Sequence, residues 1–204
     1  MRRPEYIAKQ GGMPRGWLGR FVASIMERET TAINYDAIAR LDPKEGDAVL
    51  DVGTGNGISL RHLAARVGEG IVVGVDHSPV MCGRAERNNK TLIVDGRVEV
   101  KCTGSDDLPF ETGYFDAAMS VHTIYFWNPA EPHLKEIARV LRPGGKFVLA
   151  FRSSSDPATS DFPASVYTFR SIEEIESLAD SCGFENFIYE NGSEMETLLS
   201  ATRE

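Results

Sequence analysis

Apolar residues occur in short uninterrupted runs, separated by longer segments in which they recur at helical spacing. The runs predict strands at residues 48–52, 71–75, 98–102, 115–121 and 146–151, and the periodic segments predict helices from 58, from 79 and over 132–141. Strands that alternate with helices pair in parallel through right-handed crossovers, and uninterrupted apolar runs are typical of strands that are buried on both faces. The pattern therefore predicts a doubly wound α/β fold with helices on both faces of the sheet.

Further elements are predicted on either side of this core. Apolar spacing predicts two short N-terminal helices between residues 17 and 41, whereas the first dozen residues are polar and expected to be loose unless a ligand orders them. Ser171 and Glu174 have the spacing of a capping box, and residues 184–189 and 197–202 are predicted as two last strands. We expect an N-terminal helical cap over the site, 1–44, and a ligand-binding domain, 45–204, which together form a single globular domain.

Charge and cysteine content narrow the possible partners. The 204 residues include 22 basic and 30 acidic side chains, which gives a formal net charge of −8. A surface of this sign repels phosphate backbones, so a small-molecule substrate is expected rather than nucleic acid. Three scattered cysteines form no disulfide pattern, and we find neither a signal peptide nor a segment suited to stable membrane insertion. We therefore predict a cytoplasmic protein, while its oligomeric state stays open.

The segment VLDVGTGNG follows the pattern of a ligand-binding turn at the end of the first strand. Gly53, Gly55 and Gly57 allow a sharp turn and a close approach of the backbone to a ligand. A dinucleotide fingerprint would have its third glycine at the position of Ile58, so the spacing instead favours a nucleoside without phosphate. Asp76 ends the second strand, where a carboxylate can accept both ribose hydroxyls; its alternative role is to cap the next helix.

With these residues the chain resembles the class I S-adenosylmethionine-dependent methyltransferase family, of the small stand-alone type that acts on small molecules. Four segments resemble its motifs in the right order: VLDVGTGNG, VVGVDHSPVM, GSDDLPFETGYFDAAMS and RVLRPGGKFVLAF. The resemblance covers roughly residues 45–190. It implies a Rossmann-like, mostly parallel seven-stranded sheet with an antiparallel last strand, S-adenosylmethionine as cofactor and S-adenosylhomocysteine as product.

The resemblance also implies cofactor contacts. Asp76 would bind the ribose, His77 and Val80 would lie near the adenine, and Ser120 is a further candidate contact. The methionine end would be held by the first motif, through Asp51, Gly53, Thr54, Gly55, Asn56 and Gly57.

One motif departs from the family. An acidic residue commonly follows the third strand there, in a GDAxxLPF pattern, and bonds the adenine amino group. This chain reads TGSDDLPF. Either Ser105 or Asp106 could take that role, and the sequence does not decide between them.

Candidate catalytic groups lie in the stretch HTIYFW after the fourth predicted strand. His122 could take a proton from a hydroxyl or amine nucleophile, or it could simply close the strand. Tyr125 and Trp127 could enclose the substrate or the sulfonium, because aromatic faces attract cations, or they could be packing residues. For Phe126 we favour packing.

The remaining chemistry is less specific. His62 and His133 fall in predicted helices and are expected at the surface, and no His or Cys spacing fits a metal site. The leading hypothesis is methyl transfer to an unidentified acceptor, with oxygen, nitrogen, carbon and sulfur all open as accepting atoms. The alternatives are a non-catalytic module that binds S-adenosylmethionine or S-adenosylhomocysteine, a nicotinamide-dependent oxidoreductase, and the transfer of another group from the same cofactor.

Overall fold

The computed structural model describes residues 4–12, 30–192 and 196–204. Seven strands form one sheet in the order β3-β2-β1-β4-β5-β7-β6. The strands β1 to β5 are parallel, and β7 runs antiparallel to both of its neighbours. This confirms the predicted sheet. The strands are β1 Ala48–Val52, β2 Ile71–Asp76, β3 Val98–Cys102, β4 Phe115–Val121, β5 Leu141–Phe151, β6 Phe184–Asn191 and β7 Thr197–Arg203.

Helices of the described residues cover both faces of the sheet. They are α1 Glu5–Gly12, α2 Thr31–Leu41, α3 Ile58–Val67, α4 Pro79–Asn88, α5 Lys90–Val94, α6 Glu131–Val140 and α7 Ile172–Asp180, with short 3-10 turns at Ile124–Phe126 and Pro157–Asp161. The predicted helix between residues 17 and 26 lies outside the described part of the chain. Among the described helices, none combines the length and the apolar character needed to cross a bilayer.

Side chains that alternate along the strands build two separate apolar layers. On β1, Val49 packs with apolar residues of α2 and α3, whereas Leu50 packs with those of α6 and α7. The α6 residues Leu134 and Ile137 are fully buried, which stabilises the fold by about 1.5–3 kcal/mol each. The two layers hold the strands rigidly, so the positions of their carboxyl ends are fixed.

The capping box at the start of α7 is confirmed. The Ser171 hydroxyl accepts a hydrogen bond from the Glu174 amide at 3.2 Å, and the Glu174 carboxylate accepts one from the Ser171 amide at 2.7 Å.

The N-terminal segment was predicted to be loose, and this prediction is wrong for residues 5–12, which form α1. The helix packs on aromatic side chains from distant parts of the chain: Ala8 is buried, and its carbonyl accepts a hydrogen bond of 3.4 Å from the Tyr167 hydroxyl. A Cβ added to Gly12 would lie 2.8 Å from the Phe126 ring. Such long-range packing leaves no local signal in a short polar sequence.

One boundary and one additional element also differ from prediction. The fifth strand begins at Leu141 instead of 146, because the segment Pro143-Gly144-Gly145 is part of the strand, opposite a register irregularity between Phe115 and Ala117 of β4. The short helix α5 was not predicted; it precedes a turn at Gly96, which has a φ of +72°.

Candidate cofactor and active site

A cavity of about 350 Å³ opens where β1, β2 and β4 end. Its wall includes the glycine turn after β1, the tip of β2, the loop after β3, the segment after β4 and the end of α1. Of the candidate residues, those that line it are Asp51, Gly53, Thr54, Gly55, Asn56, Asp76, His77, Ser105, Asp106, His122 and Trp127. The structure thus brings most of the predicted residues to one place.

Four candidate residues do not line the cavity: Gly57, Val80, Ser120 and Tyr125. Ser120 is buried, and its hydroxyl donates to the carbonyl of Val52 at 2.9 Å. Gly57 begins α3 with a φ of +72°, and a Cβ there would lie 2.8 Å from the Cβ of Ala85 in α4. These two residues therefore support the cavity wall but do not form part of its surface.

Gly55 provides the clearest cradle for a ligand. Its φ is +58°, and a Cβ added there would meet no protein atom within 4 Å, although the residue lines the cavity. The backbone is thus held in a conformation that favours glycine, with open space directly over it. These features fit a ligand that lies against the turn.

Asp76 links the glycine turn to the start of α4. Its carboxylate accepts hydrogen bonds from the amides of Gly55 at 3.0 Å and Ser78 at 2.8 Å. Burial raises its pKa, while these hydrogen bonds act in the opposite direction. Asp76 therefore fixes the backbone at Ser78, the residue that precedes the first turn of α4. A carboxylate has about four acceptor positions, so ribose hydroxyls can also be accommodated at this residue.

Asp51 places a second carboxylate below the turn. It is 3% exposed, and it accepts a hydrogen bond from the Ser59 hydroxyl. Burial raises the pKa of Asp51 to about 6. The negative form of this side chain would be stabilised by a positively charged ligand group in the cavity.

The loop after β3 and the start of α6 form another part of the wall. Ser105 and Asp106 both lie there, together with Trp127 and His133. The prediction that His133 lies at the surface is wrong, because this side chain is half-buried and lines the cavity. The pattern of α6 did not reveal this position, since His133 stands beside the core residue Leu134 rather than within the apolar repeat.

His122 lies at the end of β4 in a left-handed conformation, with φ +57°, which is uncommon for a residue with a side chain. Its amide donates to the carbonyl of Ala150 at 2.9 Å. The ring Nδ1 is 2.9 Å from the Tyr125 hydroxyl, and Nε2 is 3.4 Å from Oε1 of Glu196. The imidazole thus lies between the cavity and a buried polar cluster.

Tyr125 belongs to that cluster. The side chain is 5% exposed, and its hydroxyl accepts a hydrogen bond from the Arg152 amide. Burial raises the pKa of Tyr125. Arg152 in turn pairs with Glu196 at 2.8 Å and with Asp156 at 2.9 Å. The position of Tyr125 does not support the predicted substrate contact; it places this residue behind His122.

Further residues of the wall were missed from the sequence. They come from the N-terminal segment, from α4 and from the turn after β4, namely Gly11, Gly12, Thr30, Thr31, Asn34, Met81, Thr123 and Phe126. Phe126 was expected only to pack; it lines the cavity and also packs against Tyr167 at 4.9 Å between ring centroids. Among the described residues, no group of three or more candidate ligands could hold a metal ion.

Comparison with known proteins decides the family. The family model for a methyltransferase domain matches residues 50–149. A demethylmenaquinone methyltransferase of Tropheryma whipplei (strain Twist) is 31% identical over 167 residues, which cover 69% of this chain and 67% of that protein. The chain belongs to the class I S-adenosylmethionine-dependent methyltransferase family. S-Adenosylmethionine is the cofactor of this family, and membership argues against the nicotinamide-dependent alternative.

Two further similarities agree with this methyltransferase assignment. A 24-methylenesterol C-methyltransferase 2 of Oryza sativa subsp. japonica is 32% identical over 171 residues, or 78% of this chain and 47% of that protein. The chain thus spans about half the length of that relative. A solved S-adenosylmethionine-dependent methyltransferase from Aquifex aeolicus matches all of both chains with a TM-score of 0.73 at 20% identity, which is a likeness of fold.

Proposed function

We propose that this protein transfers the methyl group of S-adenosylmethionine to a small organic acceptor. The observation that carries the proposal is the hydrogen bond between Gly55 and Asp76, which joins the glycine turn to the acid of the next strand at the wall of one cavity. When bound, the cofactor supplies an electrophilic methyl group on a sulfonium leaving group. The chain then has to bind it, align an acceptor with it and exclude water.

The cofactor-binding roles are divided along the cavity. Asp51 is suited to the positively charged amino group of the methionine end, since a cation nearby favours the ionised form of a buried carboxylate. Gly55 leaves room for the ligand to lie against the backbone. Asp76 is suited to the ribose hydroxyls. The roles follow the order of the strands, from β1 to β2.

Acceptor binding is proposed for the N-terminal side of the cavity. This part combines an aromatic ring, Phe126, with short neutral polar side chains of Thr30, Thr31 and Asn34. Residues 1–44 would serve as a cap over the site. A small-molecule acceptor is also supported by the relatives, whose names denote a sterol and a menaquinone precursor as substrates.

His122 is proposed as the group that takes the proton an acceptor loses on methylation. Its Nδ1 is bonded to Tyr125, so the proton would arrive at Nε2. There it would lie 3.4 Å from Oε1 of Glu196, which can accept a hydrogen bond from the protonated nitrogen. A positioned base of this kind typically contributes about 10²–10⁴-fold in rate.

The cytoplasm is the proposed location. All three cysteines, Cys82, Cys102 and Cys182, are free thiols, which suits a reducing compartment.

The test combines binding with transfer. Calorimetry should detect S-adenosylhomocysteine binding, and S-adenosylmethionine with a labelled methyl group should label a member of a panel of phenols, quinols and sterols. A second outcome is that the protein binds the cofactor and yet transfers no methyl group, either to a member of the panel or to acceptors extracted from a cell lysate. That result would favour the non-catalytic alternative. Failure to bind either nucleoside would refute the proposal.

A further inference from the structure

His133 is held by two residues from separate segments. Its Nδ1 lies 2.8 Å from the hydroxyl of Ser105, in the loop after β3. Its ring is stacked on Trp127, with centroids 5.1 Å apart and planes at 9°. All three residues line the cavity. A side chain fixed from two sides at a cavity wall is pre-organised to contact a ligand.

The imidazole carries one donor and one acceptor in its neutral form. Burial lowers the pKa of His133, with Asp106 nearby acting in the opposite direction. Because Nδ1 is bonded to Ser105, Nε2 is the nitrogen with which the ring can bond a ligand.

The loop itself lacks the usual acid at the first position after its threonine, where the chain has Gly104. A Cβ added to Gly104 would lie 2.4 Å from Oδ1 of Asp106. The carboxylate of Asp106 therefore occupies the space in which the Cβ of a side chain at position 104 would lie. The Ser105 hydroxyl is directed to His133, and the carboxylate of Asp106 is the stronger acceptor for an amino group because it is charged.

We propose that His133 is a specificity residue for the adenine of the cofactor: oriented by Ser105 and Trp127, its Nε2 bonds a ring nitrogen of the base while Asp106 accepts from the amino group. This inference rests on the proposed function, since it requires an S-adenosyl ligand in the cavity. It also assigns Ser105 the part of orienting His133 instead of contacting the base.

The experiment compares two ligands by calorimetry on the full chain: S-adenosylhomocysteine and S-inosylhomocysteine, in which the amino group is replaced by a carbonyl. The wild type should prefer the adenine ligand. His133→Phe keeps an aromatic ring against Trp127 but removes both nitrogens. We expect it to lose about 3–10-fold in S-adenosylhomocysteine affinity, the equivalent of one hydrogen bond. It should also lose the part of the ligand preference that a donor to N1 provides, because N1 of hypoxanthine carries a proton, while the part due to Asp106 remains.

Two conservative variants separate contact from support. The amide nitrogen of His133→Gln can approach the position of Nε2, whereas that of His133→Asn can replace only Nδ1 and its bond to Ser105. A ligand contact predicts that Gln restores affinity better than Asn. A purely structural role predicts the reverse order. The matched control is His62→Phe, because His62 also lies in a helix and bonds a hydroxyl, that of Tyr35 at 3.0 Å; it should leave both affinities unchanged.

The outcomes distinguish this inference from the function on which it rests. Wild-type protein that binds neither ligand would overturn the proposed function and this inference together. Tight binding of S-adenosylhomocysteine with unchanged affinity and selectivity in His133→Phe would overturn the inference alone. If His133→Phe is unfolded by circular dichroism, the order of the Gln and Asn variants decides.

Discussion

The two ends of the cavity are built in different ways. The end proposed for the cofactor is made by strand tips and the turns that follow them, where Asp51, Gly55 and Asp76 are held by the parallel sheet. The end proposed for the acceptor is made by α1, by Thr30 and Thr31 and by the 3-10 turn after β4. In this arrangement the rigid sheet would bind the cofactor, which related enzymes share. The segments outside the sheet would bind the acceptor, which can differ between related enzymes.

This contrast makes a first prediction at the sheet end. Asp76→Ala should weaken S-adenosylhomocysteine binding by about 10³-fold, because two hydrogen bonds from the ribose to a carboxylate would be lost. The control is Asp95→Ala, at an exposed residue in the turn before β3. This variant should bind S-adenosylhomocysteine as the wild type does. Calorimetry measures both. An affinity within threefold of the wild type for Asp76→Ala would remove the ribose assignment.

The second prediction concerns the boundary between the two ends. His122→Ala should lower turnover by about 10²-fold, since the acceptor's proton would have no positioned base. Its affinity for S-adenosylhomocysteine should change by less than about threefold, because the proposed role of His122 is toward the acceptor and not the cofactor. Initial rates with an acceptor from the labelling screen test this. Equal losses in both quantities would instead show that His122 supports the cofactor site.

A third prediction uses two glycines with the same backbone conformation. Gly55 has φ +58° and Gly96 has φ +72°, and a Cβ on either meets no protein atom within 4 Å. Alanine at each position should lower the free energy of unfolding by about 1–2 kcal/mol, through backbone strain alone. Only Gly55→Ala should also lose cofactor affinity, by about tenfold, since only its methyl group would enter the ligand space. Comparable affinity losses in the two variants would contradict the inference that the ligand lies against Gly55.

The fourth and smallest effect is a pH dependence. The pKa of Asp51 is raised to about 6 by burial. A ligand ammonium favours the ionised form, so affinity for S-adenosylhomocysteine should increase several-fold as the pH rises from 5 to 7. Asp51→Asn should flatten this increase between pH 5 and 7, which calorimetry at several pH values can show. A pH profile identical to that of the wild type would place the ammonium elsewhere.

Asp51 also affects stability in a definite direction. Because its folded-state pKa lies above the ordinary value of 3.8, the folded protein binds the proton more tightly than the unfolded chain does. The contribution to stability is present at low pH and is lost as the pH rises towards and through about 6. Cofactor binding and folding therefore respond to this carboxylate with opposite sign.

The same contrast explains which features the sequence predicted. Strand ends can be located from uninterrupted apolar runs, and chemistry-bearing residues at those ends, such as Asp76, then meet at one edge of a parallel sheet. The packing of α1 could not be predicted in this way, because it depends on Tyr167 and Phe126, which are distant in sequence.

The exceptions follow from side-chain direction. His133 was expected at the surface, and for Tyr125 both a substrate contact and a packing role were open, since the rotation of α6 and of the turn after β4 decides which side chain enters the cavity. Apolar spacing locates the buried face of a helix. It does not reveal that a half-buried position beside that face, such as His133, borders a ligand site.

The central claim is that the ribose of an S-adenosyl ligand lies at the carboxylate of Asp76, against the glycine turn of β1. A crystal structure of the protein grown with excess S-adenosylhomocysteine tests it most directly. We predict both ribose hydroxyls within hydrogen-bond distance of Asp76 and the methionine end over Gly55. Density for the nucleoside at any other place, with this cavity filled only by solvent, would contradict the account.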